Sequence, residues 1–117
     1  MAVTSKRNVV VTMTGDFEFA EVFKAAENAD SPGGSALITL ASGANTITVP
    51  TGGSTVTGCT IIPPVDNTTN ITLKGVTGDT GVQLHDEDPT SLGIDPAITS
   101  FCLTAAAEII GVRLIWT

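Results

Sequence analysis

The chain has no tyrosine, one tryptophan and one histidine, so it holds little from which to build an acid–base site or an aromatic binding platform. No segment carries a recognisable nucleophile motif. Charged residues make up only 15% of the 117 residues, against about a quarter in an ordinary soluble domain. Five bases face twelve acids, for a net charge of −7. Beyond Lys6-Arg7 there is no basic cluster, which argues against a nucleic-acid partner, because phosphate binding needs a Lys/Arg footprint. Mean hydropathy is positive, at +0.33, yet no apolar run approaches the roughly 20 residues of a membrane span. The excess apolar surface therefore points to another protein as its acceptor, with a copy of the same chain the simplest case. The first residues lack the apolar core of a secretory signal, so synthesis in the cytoplasm without export is expected.

What is present is strand chemistry. From Ser35 to Val76, Thr alternates with Ile, Val or Leu, and Gly, Asn or Pro interrupts every few residues. Period-two alternation of β-branched residues fits half-buried strands. The length suits one domain with a genuine core. The pattern predicts an all-β fold, a single-domain antiparallel β-sandwich or jelly roll of about nine short strands over residues 1–117, preceded by a mobile segment at 1–7.

The strands are expected as follows. Val9 to Met13 opens the series, and Gly15-Asp16 turns the chain. Phe17 to Lys24 is ambiguous: Phe19, Val22, Phe23 and Ala26 match a helical spacing, whereas Phe17, Phe19 and Phe23 match one strand face. Strand is preferred, since a lone helix would need its own dock. Ala25–Gly34 reads as a loop and the most mobile part of the chain. Ala36–Leu40 and Asn45–Val49 read as a hairpin with a bulge, joined by Ser42-Gly43-Ala44-Asn45. Val56–Ile62 stops at Pro63-Pro64, because proline cannot donate to a ladder. Thr69–Val76 and Val82–His85 follow, separated by a tight turn at Gly78–Gly81. His85–Pro96 is expected as a long acidic loop, with a turn of helix at Pro89–Leu92. Ile98–Leu103 and Glu108–Trp116 complete the set. In the last strand Ile110, Val112, Leu114 and Trp116 share one face, and Ile109, Arg113 and Ile115 the other. Apolar residues on both faces suit a central strand or one that meets a partner.

Several segments together resemble the small β-sandwich structural proteins of tailed-bacteriophage virions. They are Leu40–Pro50, Ile61-Ile62-Pro63-Pro64, Ile71–Gly81 and the Ile-rich C-terminus with Trp116. The resemblance spans residues 35–117 and is one of style, without a diagnostic motif. It implies a non-enzymatic subunit that assembles symmetrically as a homo-oligomer on a capsid, neck or tail, with capsid decoration or cement as the leading role. Its partners would be copies of itself, a trimer or another cyclic ring, and major capsid or tail/neck proteins. Its location would be the virion, after synthesis in the host cytoplasm. It implies no cofactor, no metal, no direct nucleic-acid contact and no membrane.

Individual residues were weighed on the same terms. His85-Asp86-Glu87-Asp88 is the one cluster with metal or acid–base potential, but it lacks the alternating order of a Ca²⁺ loop, and adjacent acids diverge. A solvated acidic loop is the preferred reading. Gly75, Gly78 and Gly81 superficially match a phosphate-binding run but lie between strands, with no helix to hold an anion. Cys59 and Cys102 are expected as reduced, semi-buried thiols, with Cys102 on the face opposite Phe101 and Leu103. The sequons at Asn67 and Asn70 are read as turn chemistry. Trp116 is read as packing in the core or at an interface, and Ile109, Arg113, Ile115 and Trp116 form the candidate subunit interface. A glycan-binding sandwich, aided by calcium, is the competing functional class.

Overall fold

The computed structural model describes residues 3–16, 19–24 and 27–117. Those residues form twelve strands and no helix. A leading ribbon holds β1 (Val3–Ser5), β2 (Asn8–Met13), β3 (Phe19–Lys24) and β4 (Asn28–Ser31). The body that follows holds β5 (Ser35–Leu40), β6 (Gly43–Thr48), β7 (Gly58–Ile62), β8 (Ile71–Lys74), β9 (Val82–Gln83), β10 (Thr90–Gly93), β11 (Ser100–Ala105) and β12 (Ile109–Trp116).

The body is an antiparallel β-sandwich. One four-stranded sheet has the order β10-β7-β12-β5, and the other β6-β11-β8-β9. Alternation decides what lies between them. Cys59 and Ile61 of β7 and Val112, Leu114 and Trp116 of β12 point inward from the first sheet. Ile47, Ile71, Phe101, Leu103 and Ala105 meet them from the second. Leu40, Ile61, Ile71, Leu103 and Val112 are fully buried, and each such side chain contributes roughly 1.5–3 kcal/mol. Phe101 and Trp116 bridge the layers, with ring centroids 6.2 Å apart and planes tilted by 58°. That tilted offset is a favoured aromatic geometry.

Four local expectations change. First, residues 41–45 do not join a hairpin. β5 pairs with β12 and β6 with β11, so the connection carries the chain from one sheet to the other. Asn45 makes this corner possible: its Oδ1 accepts from Ala41 N at 2.9 Å, and its Nδ2 donates to Ala41 O, Gly43 O and Leu103 O at 2.9–3.1 Å. Gly43, at φ 97°, takes a bend closed to most side chains. Second, β12 changes phase. Its register shifts between Ile110 and Val112, and Gly111 sits at φ 88°. The bulge turns Ile109 inward, at 3% exposure, and Ile110 outward, at 70%. The assignment of those two residues to faces is thus reversed.

Third, Thr90–Gly93 is neither loop nor helix but edge strand β10, held on β7 with Leu92 opposite Cys59. Fourth, within the segment expected as loop, Asn28–Ser31 is strand β4, paired with β1. Val3–Ser5, within the segment expected to be mobile, is strand β1, and the other β strands fall where the alternation put them, with ends shifted by a few residues. The backbone of Phe19–Lys24 is strand, antiparallel to β2 from Asn8↔Lys24 to Met13↔Phe19. Phe17, Glu18, Ala25 and Ala26 of that segment lie outside the described residues.

Candidate functional site

The ribbon has a firm base and a free end. Its pairs form two separate two-stranded antiparallel sheets, β1 with β4 (Val3↔Ser31, Ser5↔Asn28) and β2 with β3 (Asn8↔Lys24 to Met13↔Phe19). The base is tied to the body through Asp30, whose carbonyl accepts from Thr55 N at 2.8 Å and whose carboxylate accepts from Thr55 Oγ1 at 3.0 Å. Asn28 Nδ2 donates to Thr55 O at 2.7 Å. Arg7 extends across the cross-strand pair Gly58↔Gly93, where a Cβ on either glycine would fall 3.0–3.1 Å from its guanidinium group. Its Nη1 donates to Ser91 Oγ at 3.4 Å. Residues 3–7 therefore belong to the anchored base.

Beyond Arg7 the ribbon stands away. β2 and β3 pack on each other, and among the described residues neither makes an extensive contact with the body. Val10 is 63% exposed and Met13 48%. The whole chain has a radius of gyration of 15.3 Å, where about 13 Å is usual for a compact domain of this length.

A cleft of about 880 Å³ opens in the body where edge strand β10 faces edge strand β9 and its neighbour β8. Leu73, Leu92 and Phe101 form its floor, and Val76, Val82 and Ile98 its lip. Val76 and Val82 are 64% and 65% exposed. The acids around it are engaged in their own turns. Asp79 Oδ2 accepts from Val76 N at 3.0 Å, and Asp95 Oδ1 from Ala97 N at 2.8 Å. The cleft offers apolar contact, without a converging set of free catalytic groups.

A second apolar area covers the outer face of the first sheet. Leu37 and Ile110 are exposed there on adjacent strands, with Ile115 half-buried. Of the four residues expected at an interface, Arg113 and Ile115 share this face. Ile109 and Trp116 lie in the core, so the structure does not bring the four together. Arg113 Nη1 donates to Ser35 Oγ at 3.0 Å across β5. Leu37 was visible in the alternation of Ser35–Leu40, whereas the exposure of Ile110 depends on the bulge.

The remaining candidates have structural employment. His85 Nδ1 accepts from Asp88 N at 2.9 Å and Glu87 N at 3.2 Å. The Asp86 and Asp88 carboxylates lie 3.7–3.8 Å from the same nitrogen. Among the described residues no group of three or more His, Cys, Asp or Glu side chains is placed to hold a metal ion. Asn67, in one sequon, is buried and secures its turn through Thr69 O and Asp86 O, at 3.0 and 2.6 Å. Cys59 and Cys102 are both free and fully buried, more so than expected. Burial pushes the Cys59 thiol up to about 12, which suppresses the reactive thiolate. Cys102 Sγ contacts Thr104 Oγ1 at 3.8 Å, on the strand face opposite Phe101 and Leu103.

Compared with known proteins, the chain matches no family model, no curated protein and no solved structure.

Proposed function

We propose that this chain is a non-enzymatic structural subunit that acts by self-association and by docking to larger proteins, in the manner of the tailed-phage virion components it resembles. Capsid decoration is the leading location, with neck or tail as the other settings of the same resemblance. One observation carries the reading: an apolar β-arm held out from a firmly anchored base, with Val10 and Met13 turned to solvent. A two-stranded hairpin is marginally stable in water on its own, so an arm of this kind gains most from a protein surface that covers it. The apolar cleft and the Leu37–Ile110 face add to the area available for docking. His85, Asp79 and Asp95, the groups best suited to acid–base work, serve as turn acceptors.

The glycan reading draws less support. Trp116 would be its stacking platform, and that ring is 6% exposed and packed near Phe101.

Size-exclusion chromatography with light scattering tests the proposal. The expected species is a stable multiple of the 11.9 kDa chain. A trimer or another closed ring is expected at micromolar concentration. A soluble monomer throughout that range overturns it. Mass spectrometry of purified particles from a host that produces the chain then tests the virion setting.

A further inference from the structure

We infer that the β2–β3 arm of one copy seats in the apolar cleft between β9 and β10 of a neighbouring copy. This rests on the self-association proposed above and names the two surfaces that carry it.

The argument starts from the arm. Its six-residue strands extend about 20 Å at the usual rise per residue. The sequence Val9-Val10-Val11 opposite Val22-Phe23 is strongly apolar. Among the described residues each strand pairs on one side only, so the arm presents two strand edges without a ladder partner there. Such an arm needs an acceptor that is apolar and that also offers a free strand edge.

The cleft supplies both. β9 and β10 are the outer strands of their sheets on that side of the sandwich, and Val76, Val82 and Ile98 form an exposed apolar lip between them. Among the described residues, none of those between 3 and 31 lines the cleft. The Asp30–Thr55 and Arg7–Ser91 hydrogen bonds fix the base of the arm on the body. Arm and cleft are different surfaces, and repeated head-to-tail contacts of that kind generate rings when the rotation closes.

The test uses two singly substituted proteins, Val10→Cys and Val82→Cys, both at exposed positions. The native Cys59 and Cys102 are buried and leave the background low. The two proteins are mixed, allowed to assemble and oxidised, and the linked peptides are identified by mass spectrometry. A Val10→Cys to Val82→Cys link is expected as the main product, and in this mixture it can form only between copies. A second pair of variants measures the energetics. Shortening the arm by replacing residues 9–23 with Asn-Gly, or placing Val82→Asp on the lip, is expected to weaken association at least tenfold. Thermal unfolding of the body is expected to stay cooperative in both.

An oligomer that survives arm shortening, or that links arm only to arm, overturns the inference and leaves self-association standing. A monomeric wild-type protein overturns both. A doubly substituted chain that links within itself places the arm in its own cleft and overturns the exchange between copies.

Discussion

The sandwich body and the arm are written in the same chemistry yet end in opposite states. Ile71-Thr72-Leu73 in β8 and Val9-Val10-Val11 in β2 are both strand-forming runs rich in β-branched residues. In the body, a second layer stands opposite: Ile71 is fully buried and Leu73 packs against the core. In the arm no second layer stands opposite among the described residues, and Val10 is mostly exposed. Strand propensity is thus a local property, whereas burial is set by what the topology brings to the other side. The body draws its stability from that second layer. The arm keeps its apolar surface available.

The sharpest way to separate the two regions is to remove equal amounts of side chain from each. Leu103 lies at the centre of β11, fully buried between the sheets. Leu103→Ala is expected to cost about 2–5 kcal/mol, from lost transfer energy and the cavity left behind. Urea unfolding followed by tryptophan fluorescence reads it directly, because Trp116 is the only tryptophan and belongs to the same core. A loss below about 1 kcal/mol would mean that the layers are held by something other than this packing.

A smaller loss is expected at the corner between the sheets. Asn45→Ala deletes one acceptor and the donors shared among Ala41, Gly43 and Leu103. Some of the freed backbone groups near the surface regain water, so the expected cost is about 1–3 kcal/mol. The same urea experiment checks it, and Asn45→Asp separates the roles of the two ends of the amide. The aspartate keeps the acceptor for Ala41 N but turns a carboxylate oxygen onto the three carbonyls that Nδ2 served, so it should cost at least as much as alanine.

Asn45 also marks the boundary of what the sequence made legible. Alternation located the body strands well, because each has one face toward the core and a two-residue period is enough to reveal it. It did not show where the chain changes sheet. A short Gly-containing link fits a hairpin by length, and the partner that makes it a corner, Leu103, lies 58 residues away. The phase of β12 was hidden for a related reason: Gly111 in a strand could be an ordinary weak point or a bulge, and pairing with β5 decides. β10 escaped because Pro89 and three nearby acids resemble loop chemistry, with Leu92 its main inward anchor. The outward or inward placement of the four residues expected at an interface was half legible. Arg113 and Ile115 do face outward, but the arm and the cleft lip are visible only once the two sheets have been assembled.

The least effect on folding is expected where the apolar surface has no layer above it. Val10→Ser replaces a side chain that is already mostly in water, so the body's unfolding free energy should move by no more than about 0.5 kcal/mol. The measurement is made at low micromolar or lower concentration, where association adds little to apparent stability. As the concentration rises, wild type should gain stability through association and Val10→Ser should gain less. That widening gap is the signature of an apolar residue whose second layer belongs to another molecule. A serine variant that instead unfolds as readily as Leu103→Ala at every concentration would make the arm part of the chain's own core, and the contrast between the two regions would collapse.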